Sequence, residues 1–351
     1  SFDDWKAVYD QVYLSNLVLE TLAKISPMPN EQTSFNDLKG QALFHRAHYY
    51  FQAVQLWAAA YNPATAKHEP GIPLRSTIDT EEKTLRSSLE DSYNFIQEDL
   101  LAAIQLLPEE TIAAVRPSQM AAYALLARVY LTKNNFTEAL KTTLLDYNLL
   151  SHTVNYPFKQ FNDEVIFESR SGLQLILSNT KANIALDLIN SYESDDLRLP
   201  LFYKKLPTGL YSFKGSYEGG ATYFNGISTN EIYLICAESN ARLDRVQPAI
   251  DMILSLWKYR KSNFDAEKER LRLQGLDKDR LTDLIIDERR RELPFRGLRL
   301  LDLKRLAVLG KIVTMERSIG NMQYILKTDS RQMRLPIPEK IIALTGIAQN
   351  E

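Results

Sequence analysis

The sequence predicts a mainly α protein assembled from tetratricopeptide-like helix pairs. Three observations carry that prediction. Apolar residues recur at helical spacing through most of the 351 residues. Two helix–turn–helix segments repeat the same placement of small and large residues. Two other stretches, 61–73 and 195–229, interrupt the period with glycine, proline and aromatic residues.

Residues 5–25 set Trp5, Val8, Val12, Leu19 and Leu22 near one helical face, and Pro27 and Pro29 stop that helix. A second helix is expected over 36–61, capped by Asn36 or Asp37, with Leu43, Phe44, Ala47, Tyr50, Phe51, Val54 and Trp57 as its stripe. Further helices are expected over 88–107, ending before Pro108, and over 117–133 and 136–150. The segment 162–170 has strand character, and 180–193 is expected to be a helix capped by Thr180. Helical periodicity resumes at 230–244 and 246–261, continues as a charged amphipathic segment to 293, and returns at 298–308. Trp5, Trp57 and Trp257 lie on helical stripes and are expected in the core.

The repeat signal comes from two pairs. Ala127 is followed by Phe136, Ala139 and Leu140, and Ala237 by Val246, Ala249 and Ile250 at the same intervals. Alanine allows two helices to approach closely, and the large residue after the turn fills the remaining gap.

Composition narrows the function. The chain carries 42 basic and 44 acidic residues, a formal net charge of −2, which lacks the electrostatic footprint of a general nucleic-acid binder. The lone cysteine, Cys236, sits in the apolar run IYLICAES and reads as a small core residue. No apolar run approaches the ~20 residues needed to span a bilayer. The first residue is Ser1 rather than Met, so a processed or trimmed start is expected.

The stretch DERRRELPFRGLRLLDLKRL, residues 287–306, mixes six arginines and a lysine with four acids. On a helix, Glu288 reaches Arg291 and Arg289 reaches Glu292 at three-residue spacing. The next helix spaces Arg299, Asp302 and Arg305 likewise, beside leucines. Acids and bases alternating at pairing distance next to apolar residues favour an internal ion-pair network of Glu288, Arg289, Glu292, Arg299, Asp302 and Arg305. A DNA-reading helix would instead present an uncompensated basic face. Arginine suits the network because its planar fork grips carboxylates in pairs.

The same stretch resembles the signature of the SusD/RagB family, roughly E-R-x-x-E-L-x-F-E-G-x-R-x-x-D-L-x-R. Glu288, Arg289, Glu292, Leu293, Phe295, Gly297, Arg299, Asp302, Leu303 and Arg305 match it, while Arg296 stands where the family usually has Glu. GQALFHRAHYYFQAVQLW (40–57), GIPL (71–74), NEIYLICAESNARL (230–243) and the closing LPIPEKIIALTGIAQNE resemble other family segments in order. In ESDDLRL, Asp196 and Arg198 resemble a family D-x-R, which suggests a pair that holds the fold.

That resemblance implies an α-α superhelix of helix pairs with long irregular loops on one side. It implies a single domain over 1–351, with a scaffold at about 1–150 and 230–310 and a loop-rich ligand side at about 151–229. The implied function is that of a non-catalytic lipoprotein on the outer face of the outer membrane. It captures glycan, or in some members peptide, and passes it to a SusC-like TonB-dependent transporter. Its membrane contact is through a lipid anchor outside this chain, and neither cofactor nor metal is implied.

Glycan binding calls for flat aromatic faces and a few amide or carboxylate partners. In the two irregular stretches the candidates are Tyr61, Asn62 and His68, and Tyr211, Tyr217, Tyr223 and Asn225. The competing reading is that these tyrosines pack their own loops. Catalytic signatures are wanting. HRAH spaces His45 and His48 at i, i+3 rather than the i, i+4 of a zinc-protease helix. No nucleophile elbow, P-loop, dinucleotide fingerprint or EF-hand string appears. Two rival readings stay open at this point: an intracellular tetratricopeptide scaffold gripping a partner's peptide, and an all-helical glycan-cleaving enzyme with two converging carboxylates.

Overall fold

The computed structural model describes residues 1–143, 160–172, 177–178, 181–215 and 222–350. The chain folds into two compact units. One comprises Ser1–Glu110, Pro117–Asn134 and Leu300–Glu351, the other Thr111–Arg116 and Asn135–Arg299.

The first unit begins with α1 (Phe2–Leu22), opened by a capping box in which Ser1 and Asp4 satisfy each other's backbone donors. Trp5, Val8 and Val12 face inward, and the Trp5 ring meets Trp57 edge-on at 4.8 Å. α2 (Gln32–Trp57) starts four residues before the expected cap. Asn36 lies inside the helix and accepts from Gln32 instead of capping. At the other end Ala58 is already extended, so the segment to Tyr61 is loop. β1 (Pro70–Pro73) pairs antiparallel with β2 (Arg86–Ser88), and Ser88 caps α3 (Leu89–Leu106). α4 (Gln119–Thr132), alanine-rich and capped by Ser118, completes this part. One buried polar knot ties three helices. Arg46 of α2 forks onto Asp99 of α3 at 2.8 and 2.7 Å and donates to Asn16 of α1 at 2.8 Å.

The second unit opens with α5 (Phe136–Lys141), while 144–150 of the expected helix lies outside the described residues. The strand expected over 162–170 contracts to β3 (Val165–Phe167). The helix expected over 180–193 contracts to α6 (Leu186–Asn190). Ala185 precedes it without a side-chain cap, and Thr180 lies outside the described residues. The stretch 195–229 is less irregular than its composition suggests. It holds α7 (Arg198–Phe202), a hairpin of β4 (Tyr203–Lys205) and β5 (Tyr211–Phe213), and β6 (Ile227–Ser228) paired with β3. Its aromatic residues Phe202, Tyr203, Phe213 and Tyr223 form a cluster with Tyr192, joined by Phe295.

α8 (Thr229–Arg242) and α9 (Val246–Trp257) pack through Ala237, Ala241, Ala249 and Ile250, all fully or almost fully buried. Between them Asp244 takes φ +59°, and Asn134, at the matching place after Ala127, takes φ +55°. Asp and Asn enter this left-handed region more readily than most residues, so the two turns repeat in backbone as well as in spacing. α10 (Ala266–Gln274) and α11 (Lys278–Glu292) follow, capped by Asp265 and Asp277.

The chain then returns to the first unit with α12 (Arg299–Val308), a hairpin of β7 (Thr314–Ile319) and β8 (Met322–Lys327), and α13 (Glu339–Thr345). The hairpin shows no alternation of buried and exposed positions, and its apolar residues Ile319, Met322, Tyr324 and Ile325 are exposed. The three tryptophans are buried, as their stripes predict.

Candidate functional site

The loop leaving α2 wraps one wall of a cleft of about 670 Å³ in the first unit. The loop is shaped by Asn62, whose Oδ1 accepts from the Ala64 N–H at 3.0 Å, a short Asx turn. Asn62, Thr65 and His68 line this wall. The opposite wall comes from α12 and from residues 328–334, and the tail contributes Ala348 and Gln349. The tail is tied down by Asn350, whose amide donates to the carbonyls of Trp57 at 2.9 Å and Leu335 at 2.7 Å.

Charge is unevenly distributed around this cleft. Arg86, Lys304, Arg331 and Arg334 line it, against Glu69 and Asp329. Arg86 spends its guanidinium on the carbonyls of Gly71, Pro70 and Ala348. Arg334 reaches Glu69 at 3.7 Å. Lys304 is buried, and its ammonium donates to the carbonyls of Gln55 at 2.8 Å and Ala58 at 2.7 Å, at the C-terminal end of α2. Burial presses the Lys304 ammonium down to about 7, with repulsion from Arg334 adding to it. The two carbonyls and the negative end of the α2 dipole act in the opposite sense and favour the charged form.

A smaller recess of about 240 Å³ lies between α1 and the loop after β1, also in the first unit. Trp5, Tyr9, Tyr13, Arg75, Thr77 and Thr84 are among the residues that line it. Arg75 holds the loop in shape by donating to the Glu82 carbonyl, the Thr84 hydroxyl and the Asp79 carbonyl. Tyr9 stacks on Trp5 at 4.9 Å, and Tyr13 is exposed at the rim.

The remaining candidates are placed differently. Tyr61 is buried, edge-on to Tyr93 at 5.0 Å and beneath the Lys133 ammonium. In the second unit Tyr223 is buried, its ring against Phe213 and Phe295 and its hydroxyl donating to the Leu177 carbonyl. Tyr211 is half-buried on β5, and its carbonyl accepts from Ile184. Asn225 is half-buried and its backbone N–H donates to Ser169. Tyr217 lies outside the described residues. The structure thus brings Asn62 and His68 into one cleft and turns Tyr61 and Tyr223 into packing.

The arginine-rich segment builds the interior of the second unit. Glu288 and Glu292, one turn apart on α11, both accept from Arg198, Glu292 at 2.7 Å. Arg198 also forks onto Asp196. Arg260 bridges Glu292 and Glu164 at 2.8 and 2.7 Å, and Asn230 donates to Glu292. Arg291 closes onto Glu288 at 2.8 Å. Arg289 is buried on α11, and Arg299 is half-buried at the start of α12. In the first unit Asp302 and Arg305 pair at 2.8 Å. Arg296 is buried over the Phe224 ring, its guanidinium on Ser228 and Asn230. The partners Arg260 and Glu164 were invisible to spacing arguments because they come from distant segments. Lys304 had a readable signal: it follows Leu300 and Leu301 at helical spacing and therefore falls on the apolar side of its helix.

Among the described residues no group of His, Cys, Asp and Glu is arranged to hold a metal ion, and no helix is long and apolar enough to cross a membrane. A family model described as "Starch-binding associating with outer membrane" matches residues 2–131, and one described as "SusD family" matches 202–349. Among solved structures, a SusD superfamily protein from Bacteroides thetaiotaomicron is similar at 21% identity with a TM-score of 0.81, covering 99% of this chain and 85% of its own. A putative sugar binding protein from Bacteroides vulgatus is similar at 22% identity with a TM-score of 0.77, covering 100% and 85%. Another SusD superfamily protein from Bacteroides vulgatus shows 21% identity and a TM-score of 0.81, covering 99% and 84%. Likeness at this identity establishes the fold. A search of the curated proteins finds no match.

Proposed function

The chain belongs to the SusD/RagB family, with its mainly α, tetratricopeptide-like fold, and from that premise we propose that it is a glycan-binding protein of the cell surface. It captures oligo- or polysaccharide and delivers it to a SusC-like TonB-dependent transporter, making and breaking no bond itself. It is held at the outer face of the outer membrane by a lipid anchor.

The observation that supports this most directly is the cleft of about 670 Å³. Its volume is in the range of small-molecule sites, and it offers amide, imidazole, hydroxyl and charged groups without a helix or strand filling it. We assign Asn62 and His68 as ligand contacts there. The smaller recess with Tyr13 at its rim offers an aromatic face and hydroxyls and fits a second contact point on a longer chain.

The test is calorimetric binding against a panel of neutral and acidic polysaccharides, with reducing-end assays run in parallel. Binding without hydrolysis, weakened by Asn62→Ala and His68→Ala, supports the reading. Absence of binding across the panel, or release of new reducing ends, overturns it. Recovery of a TonB-dependent transporter with the affinity-tagged protein from outer membranes tests the delivery step.

A further inference from the structure

We propose that the large cleft is selective for acidic glycans, those bearing carboxylate or sulfate groups, with Lys304 as the cationic floor and Arg331 on the rim. The inference rests on the glycan-binding reading above and narrows its ligand class.

Two independent features lead there. The first is charge. Arg86, Lys304, Arg331 and Arg334 face the cleft against only Glu69 and Asp329. A concave site with low-dielectric walls and an excess of one sign concentrates its field on a ligand of the other sign.

The second feature is the way Lys304 is held. An ammonium has three donors. Two go to the carbonyls of Gln55 and Ala58, and the third has no acceptor among the described residues. No carboxylate pairs with Lys304 among those residues either. Lys261, also buried, shows the usual solution: its ammonium sits between Glu193 and Glu269. Buried charges are ordinarily paired, and an unspent charged donor is costly to leave so. Lys304 lines the cleft and is the one of the two buried lysines that an anion entering from outside can reach as a partner. An anionic oxygen of a sugar acid or sulfate ester supplies both the missing acceptor and the missing charge, and charge-assisted bonds of that kind are the stronger class. Neutral sugars supply only the acceptor.

The experiment is titration calorimetry on the whole chain with matched probes. Oligogalacturonides are compared with their methyl esters, which keep the shape and lose the charge. Dextran sulfate oligomers are compared with dextran of the same length. We expect at least one anionic probe to bind roughly tenfold or more tighter than its neutral twin, with the advantage shrinking as salt is raised. The uronate and sulfate arms tell the two anion sources apart. Arg331→Gln on the exposed rim should reduce the anionic advantage by roughly threefold, and Lys304→Met should remove most of it. Should Lys304→Met fail to fold, the Arg331→Gln result still decides. Equal binding of charged and neutral twins overturns the acidic selectivity but leaves glycan binding intact. Binding of an oligoglutamate peptide tighter than any glycan overturns the ligand class. No binding of any glycan overturns the broader reading as well.

Discussion

Arg198 Nη1 lies 2.7 Å from Glu292 Oε2, across 94 residues of sequence, with both side chains fully buried. This contact stitches α7 to α11. It also answers an electrostatic problem posed by the sequence, because Glu288 and Glu292 are like charges one helical turn apart. The Arg198 guanidinium reaches both, and Arg260 takes the second oxygen of Glu292. Such a network is costly to assemble from solvated ions, so its main consequence is that no member can be removed cheaply.

Arg198→Met is therefore expected to destabilise the protein by about 3–5 kcal/mol, since Asp196, Glu288 and Glu292 would stay buried with too little positive charge. Chemical denaturation gives the value. A loss below about 1 kcal/mol would show that water enters and resolvates the acids.

Acid should act on the same network. Burial alone would raise the Glu292 carboxyl, but the guanidiniums of Arg260 and Arg198 override it and hold it at about 2. Glu288 is lowered too, as Arg198 and Arg291 outweigh its burial. A depressed carboxyl stabilises the fold fully above its unfolded value of 4.5, and that contribution disappears as pH falls from there through about 2. The melting temperature should drop across this window, and Glu292→Gln, already weaker at neutral pH, should show a flatter acid dependence.

Gly71 of the GIPL segment should not tolerate a side chain. A Cβ there would stand 2.2 Å from Ser92 Oγ and 2.4 Å from the Ser88 carbonyl oxygen, which is backbone at the cap of α3. Gly71→Ala is expected to cost about 1–3 kcal/mol through forced displacement of β1. Gly172→Ala, where an added Cβ meets nothing within 4 Å among the described residues, is the neutral control in the same melting assay.

Asn350→Ala removes both donors that fix the tail to Trp57 and Leu335. A loss of about 1–2 kcal/mol is expected. Faster hydrogen exchange at Ile337, whose N–H donates to Gln349, would locate the effect in the tail.

Much of the helical scaffold was legible. Ala237 with Val246 and Ala249, and Ala127 with Phe136, marked turns whose matching backbone the structure shows at Asp244 and Asn134. The errors were local competitions. Asn36 has the chemistry of a cap, yet α2 begins at Gln32 and continues through it, and its side-chain oxygen is taken up by Gln32 one turn earlier rather than by a backbone N–H. The hairpin β7–β8 escaped notice because its residues are exposed on both faces, so no alternation was written into them. Loop composition singled out Asn62 and His68, and the structure sets both on the wall of the large cleft. Lys304 was grouped with its arginine neighbours, because periodicity says that a residue is buried and not which carbonyls await it. Tyr61 and Tyr223 illustrate the converse: an aromatic residue in an irregular stretch is also what such a stretch uses to build its own core.

The grip of Gln55 and Ala58 on Lys304 has a kinetic corollary. A free lysine loses rotamer entropy when it captures a ligand, but here that loss is already incurred during folding. The floor of the cleft is pre-organised, so encounter with a solute should proceed without rearrangement, and differences among solutes should appear in how long each resides.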